Sequence, residues 1–171
     1  MYLVTELRRN LKMLPVMVIA LGLLTACGFQ LRGAVNLSQD VAPIAIQRNN
    51  LFDLGSEIRS VLETNRIDVT ESMSAAKSVI TLINESEARR VLSVDGSGRA
   101  SEYLLIYSVR YSLESQSFET AEFTARQQRS LVFDPDAVLA VENEAEMLYG
   151  DMRKDVARLI LMKLQAKSAV R

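Results

Sequence analysis

Between Tyr103 and Glu114 the chain alternates with a strict period of two. Tyr103, Leu105, Tyr107, Val109, Tyr111 and Leu113 fall on one side, and Ser108, Arg110, Ser112 and Glu114 fall on the other. That pattern marks a long strand with one face buried and one face wet. Two further long strands are expected beside it. Lys77 to Val94 opens as SVITLI and turns polar through NESEARR, while Glu119 to Phe133 sets Ala121, Phe123 and Ala125 against Glu122, Thr124 and Arg126. The tetrad Asp95-Gly96-Ser97-Gly98 supplies a hairpin turn between the first two. Earlier, VAPIAIQR (Val41 to Arg48) alternates in part and predicts a first strand. Pro43 has no N–H to give a ladder, so it suits an edge or a strand start.

The period changes to that of a helix in two places. Leu54, Ile58, Val61 and Leu62 make one stripe, predicting a helix capped by Asp53, running to about Thr64 and stopping at Asn65. After a break at Asp134-Pro135-Asp136, the positions Ala145, Leu148, Tyr149, Met152, Val156, Leu159 and Ile160 predict a long helix from near Val141 to Gln165. Glu142, Glu144 and Glu146 crowd its start and Arg158, Lys163 and Lys167 its end, as the helix dipole favours. Within it Gly150 costs about 1 kcal/mol relative to alanine. The order β-α-β-β-β-α predicts an α+β fold, with two helices packed on one face of a four-stranded, mostly antiparallel sheet. The other face stays open, a surface for a partner or an amphipathic ligand.

Ahead of all this lies a continuous apolar run, Met13 to Leu24, preceded by Arg8, Arg9 and Lys12. The run is shorter than the roughly 18–20 residues that span a bilayer, which predicts a cleaved signal peptide over residues 1–26. Leu24-Thr25-Ala26-Cys27 resembles the bacterial lipobox, and Cys27 is the only cysteine of the chain. The resemblance implies a diacylglycerol on the Cys27 thiol, cleavage before it, and acylation of the new amino terminus. Such an anchor exceeds the two-signal threshold for stable membrane attachment. Gly28, where aspartate would favour inner-membrane retention in the sorting rule this resembles, points to the outer membrane. The expected organisation is a leader (1–26), a lipidated N-terminus and tether (27–40), and one α+β domain (41–171).

Composition removes several chemistries. With 20 basic and 21 acidic side chains the net charge is −1, and the leader takes away more cations than acids. No basic excess of the kind nucleic-acid binders show is present. The absence of histidine excludes histidine triads, histidine metal sites and the commonest general base. With the one thiol acylated, cysteine catalysis and thiolate metal sites go as well. A carboxylate hydrolase needs two acids about 5–10 Å apart in a cleft, and here the acids are spread along element edges. The chain is therefore expected to be no enzyme and to carry no metal or cofactor beyond the lipid on Cys27. Asp134 and Asp136 fit turn and cap positions, and the period-2 tyrosines fit a core.

Several separated stretches resemble the LptE (rare lipoprotein B) family of LPS-assembly lipoproteins. They are Cys27-Gly28-Phe29-Gln30-Leu31-Arg32-Gly33, Ala100-Ser101-Glu102-Tyr103 after the glycine turn, Ser130-Leu131-Val132-Phe133-Asp134, Leu139-Ala140, Asn143-Glu144 and Met152-Arg153. The resemblance implies a non-enzymatic protein that plugs the outer-membrane β-barrel LptD, helps it assemble and binds lipopolysaccharide. Arg89, Arg90 and Arg99 are the candidate contacts. With Ser97 one of two central turn residues, Arg99 is expected near the hairpin tip, Arg90 roughly opposite Tyr103 and Arg89 beside Leu104, placing guanidinium forks next to apolar surface. Phosphates beside acyl chains, as lipid A presents them, suit that chemistry. The competing reading pairs these arginines with Glu85, Glu87 and Glu102 as solvated ions worth about 0–1 kcal/mol each. The family's basic residue before the turn glycines has no counterpart, since Asp95 and Gly96 stand there, and a second basic position corresponds to Val141. Arg126 and Arg129 extend the basic track or serve as sheet-surface charges or barrel contacts. A different class stays open too: an envelope lipoprotein adaptor with no lipid ligand.

Overall fold

The computed structural model describes Leu37 and residues 40–169. The leader, Cys27 and most of the tether lie outside the described residues. The elements are β1 (Ile44–Gln47), α1 (Phe52–Thr64), β2 (Val69–Thr70), β3 (Ser78–Val94), β4 (Ala100–Ser115), β5 (Phe118–Val132) and α2 (Val138–Ala169). They form one sheet in the order β2-β1-β3-β4-β5. β1 runs parallel to both β2 and β3, whereas β3–β4 and β4–β5 are antiparallel hairpin pairs. The α+β class and the two helices match the sequence pattern. The sheet has five strands instead of four, because two-residue β2 pairs with Ile44 and Ala45 of β1. Consequently β1 is interior, and Pro43 sits just ahead of it, its carbonyl accepting the Lys77 N–H at 2.9 Å.

One face of the sheet carries the core. Leu105, Tyr107, Val109, Tyr111 and Leu113 of β4 are buried, as the alternation predicts, and join Ile80 and Leu82 of β3. Both helices pack into this same cluster. α1 contributes Leu54, Ile58 and Leu62, and α2 contributes a stripe running from Val141 through Met152 and Ile160 to Leu164. Fully burying side chains of this size stabilises the fold by about 1.5–3 kcal/mol each.

Two helix ends differ from expectation. Asp53 lies inside the first turn of α1; Leu51 is the N-cap, with no side-chain cap bond. Asn65 does end α1, its side-chain amide donating to the Val61 carbonyl at 2.7 Å. α2 begins at Val138, one turn before Glu142, and its first turn holds no acid. A dipole effect fades beyond the first turn, so the position of Glu142 needs another cause. That cause is Arg89.

Candidate functional site

Successive residues of a strand point to opposite faces, and this sorts the chain's arginines. On the helix-covered side Arg89, Arg129 and Arg153 meet carboxylates. Arg89 donates from Nη1 and Nη2 to the two Glu142 carboxylate oxygens at 2.7 and 2.9 Å, and its guanidinium lies 5.5 Å from the centre of the Tyr103 ring. The fork holds the Glu142 carboxyl below its usual range, and Glu142 in turn raises the Arg89 pKa. Arg129 reaches Asp155 on α2. Arg153 of α2 sits over the Tyr107 ring, 3.6 Å from Glu87 and 3.9 Å from Asp53. Beneath it, Tyr107 donates its hydroxyl to Glu85 at 2.7 Å, and burial first, then that carboxylate, push the phenol pKa up.

The uncovered face is different. Its central rows, read across β3, β4 and β5, are Arg90–Leu104–Ser130, Ala88–Ile106–Gln128, Ser86–Ser108–Arg126 and Asn84–Arg110–Thr124. Among the described residues, Arg90, Arg110 and Arg126 have no carboxylate within ion-pair distance. The acids of this face stand toward its ends, with Glu102 bonded to the Ser93 hydroxyl and Glu122 opposite Ser112.

The three sequence candidates therefore do not form one cluster. Arg89 pairs across from Leu105, and Arg90 from Leu104, while Tyr103 faces Val91. The expected register is off by one, because the Asp95–Arg99 backbone pair closes the turn around three residues, Gly96, Ser97 and Gly98, while the two irregularities at Ser93 cancel between Val94–Ala100 and Val91–Tyr103. Arg89 is on the helix side and engaged, and Arg90 is on the open side. Arg99 stands at the hairpin tip, Nε donating to Asp95 at 3.0 Å while its side chain stays 73% exposed. Arg126 and Arg129, three residues apart, likewise separate to opposite faces.

The tip itself is built around Asp95. One carboxylate oxygen accepts from the Ser97 hydroxyl at 2.6 Å, the Ser97 N–H at 2.8 Å and the Arg99 N–H at 3.0 Å. Those donors, the Ser97 hydroxyl foremost, bring the Asp95 pKa down from 3.8 to about 2. Gly98 closes the turn at φ +81°, a backbone conformation that favours glycine. This end of the molecule also exposes aliphatic side chains that period counting alone does not single out. They are Val91, Leu92 and Val94 of β3, Val132 of β5, which pairs with Glu102, and Leu139 at the start of α2, 82% exposed.

The chain matches the family model described as "LptE: Lipopolysaccharide-assembly" over residues 39–164. It is 29% identical over 139 residues to the LPS-assembly lipoprotein LptE of Photorhabdus laumondii, covering 81% of this chain and 76% of that one. The LPS-assembly lipoprotein LptE of Yersinia pestis is 25% identical over 140 residues, covering 81% and 68% respectively. Among solved structures, rare lipoprotein B of Shewanella oneidensis superposes with a TM-score of 0.65 at 27% identity, covering 72% of this chain and 93% of that one. A lipoprotein B of Nitrosomonas europaea gives 0.68 at 29% identity, covering 84% and 94%. The α+β sheet with its two helices is thus the fold of these lipoproteins, and this chain belongs to the LptE lipopolysaccharide-assembly family.

Proposed function

We propose that this chain is an outer-membrane lipoprotein, anchored through acyl chains on Cys27, that serves non-enzymatically in lipopolysaccharide assembly. In this reading it acts as plug and assembly partner of an LptD-type β-barrel and contacts lipopolysaccharide with its hairpin end. The observation that carries the lipid contact is the amphipathic character of that end. Exposed Val132 shares the uncovered face with Arg90, which has no carboxylate within ion-pair distance among the described residues; Arg99, largely in solvent, stands at the tip, and exposed Val91, Leu92, Val94 and Leu139 border the same end, Val91 from the helix-covered face. Phosphates take guanidinium donors in charge-assisted bonds while acyl chains cover aliphatic surface. Arg89 joins such a contact only by exchanging Glu142 for phosphate; its present role is to hold the start of α2 to β3.

The test is to extract outer membranes carrying the full lipoprotein with a C-terminal tag, purify it in detergent and identify what stays bound through gel filtration. A stoichiometric large β-barrel with co-purifying lipopolysaccharide is the expected result. Arg90→Ala with Arg99→Ala should lower the lipopolysaccharide several-fold, roughly as expected for lost charge-assisted bonds, and leave the barrel in place. A lone lipoprotein, with both proteins well expressed, would overturn the plug reading in favour of an adaptor.

A further inference from the structure

Arg110 and Arg126 are diagonal neighbours on the uncovered sheet face. Arg110 is opposite Thr124, Arg126 is opposite Ser108, and the two rows are adjacent. Cross-strand neighbours of like charge repel each other, and among the described residues no carboxylate lies within ion-pair distance of either, although Glu122 of the same face stands one row beyond Arg110 and Thr124. The polar groups around them are hydroxyls and amides. When the Gln128 amide is turned with its oxygen toward Arg126, it accepts from Nε and Nη2 at 3.2 Å each. That contact orients the guanidinium without neutralising it. The helix-covered face handles the same residue type in the opposite way: Arg89, Arg129 and Arg153 each have a carboxylate close by. Arg110 and Arg126, at the centre of the uncovered face, have no such partner among the described residues.

We infer that the centre of this face, around Arg110 and Arg126, docks against an acidic, hydrogen-bonding wall of the partner barrel. The inference rests on the barrel partnership proposed above and adds which surface meets the wall and by what chemistry. Three features select such an occupant. The two positive charges ask for negative ones, and electrostatic complementarity of that kind fixes register and partner choice. The surrounding Ser86, Ser108, Thr124 and Gln128 supply donors and acceptors and little apolar area, which suits the polar lumen of a transmembrane barrel and not its lipid-facing surface. The face is also three strands wide, and a cavity bordered by Pro43, Ile67 and Lys77 lies near the start of β1, away from these rows. A small ligand asks for a concave site; a wall does not.

The experiment compares the tagged full lipoprotein with Arg110→Glu/Arg126→Glu and Arg110→Gln/Arg126→Gln, each co-expressed with the barrel and purified in detergent. Barrel and lipopolysaccharide retained per lipoprotein are measured at low and high salt, with far-UV circular dichroism as the folding check. The expected result is at least about a tenfold loss of barrel for the glutamate pair, the size of effect seen when charged contacts are made repulsive. The glutamine pair should lose less, and its barrel retention should no longer fall as salt rises, because the screened attraction has been removed. This arm decides the matter even if the glutamate pair does not fold. If the wild type itself retains no barrel, the underlying partnership fails and this docking surface with it. If the wild type retains the barrel and both variants do so equally at every salt, only the docking surface is overturned. Loss of lipopolysaccharide with the barrel fully retained would also overturn it, assigning the face to the glycolipid.

Discussion

Asp95 shows how much one exposed side chain can organise. Its carboxylate gathers the Ser97 hydroxyl and the N–H groups of Ser97 and Arg99, and its other oxygen takes the Arg99 guanidinium. All these donors prefer the ionised form, which is why the pKa falls from 3.8 to about 2. A carboxyl whose folded pKa lies below its unfolded one stabilises the fold fully above the unfolded value. That contribution drains away as pH drops through the folded value. The hairpin tip should therefore keep its order down to about pH 4 and lose it progressively towards pH 2. The side-chain carboxyl carbon shift of Asp95, followed by NMR during acid titration, should have its midpoint near 2. A midpoint at the ordinary aspartate value would mean the donors do not hold it in solution. In Asp95→Asn the amide protection of residues 96–99 should lose its dependence on pH across that window.

At the scale of elements, β4 is the part the sequence announced most clearly, and every residue of its apolar register except Tyr103 is buried. Period two is visible when one face is greasy and the other polar, as here. β2 was illegible for the opposite reason: two residues, Val69 and Thr70, make no period, and only their parallel pairing with β1 defines them. The hairpin register slipped by one because Asp95-Gly96-Ser97-Gly98 can close around two residues or three, and only the Asp95–Arg99 backbone pair decides for three. The same blindness put Arg89 and Arg90 into one candidate site, although neighbours on a strand cannot share a face. Which of them would be engaged depended on where α2 lies, and Glu142 on that helix decided it. Gly150 marks a further limit. It sits in the middle of α2, and a Cβ added there meets nothing within 4 Å. Gly150→Ala should then stabilise the protein by about 0.5–1 kcal/mol through helix propensity and a less flexible unfolded chain. Urea denaturation should show the midpoint rising with the slope unchanged. A lower midpoint would mean that α2 needs the glycine for a bend.

For the whole molecule, the two ends of the long hairpins have different tasks. β1 and β3 begin together at one end, where Ser78 pairs with both Ile44 and Ser115, and the β4–β5 turn at Ser117 lies there too. Leu37, ten residues beyond Cys27, packs against the core that this end belongs to. Ten residues of chain reach at most about 35 Å, so the acylation proposed for Cys27 would hold this end within that distance of the membrane surface. From there β3 runs for 17 residues, which at about 3.3 Å each is about 55 Å. The hydrocarbon core of a bilayer is only about 30 Å thick. A domain inserted lengthwise in a barrel, anchored end first, would carry its Asp95–Arg99 tip across to the far leaflet, where lipopolysaccharide resides. A photo-crosslinking residue at Ser97 should then yield lipopolysaccharide adducts in intact cells, and the same residue at Ser117 should yield none. Both serines are exposed turn residues, so either can carry the probe without disturbing the core. Adducts from Ser117 with none from Ser97 would reverse the orientation, leaving the Asp95–Arg99 tip in the periplasm and the proposed lipid anchor to be reached some other way. Equal capture from both would remove the lengthwise insertion altogether, because two points some 50 Å apart along a strand axis cannot both lie in one leaflet of a membrane the hairpin crosses.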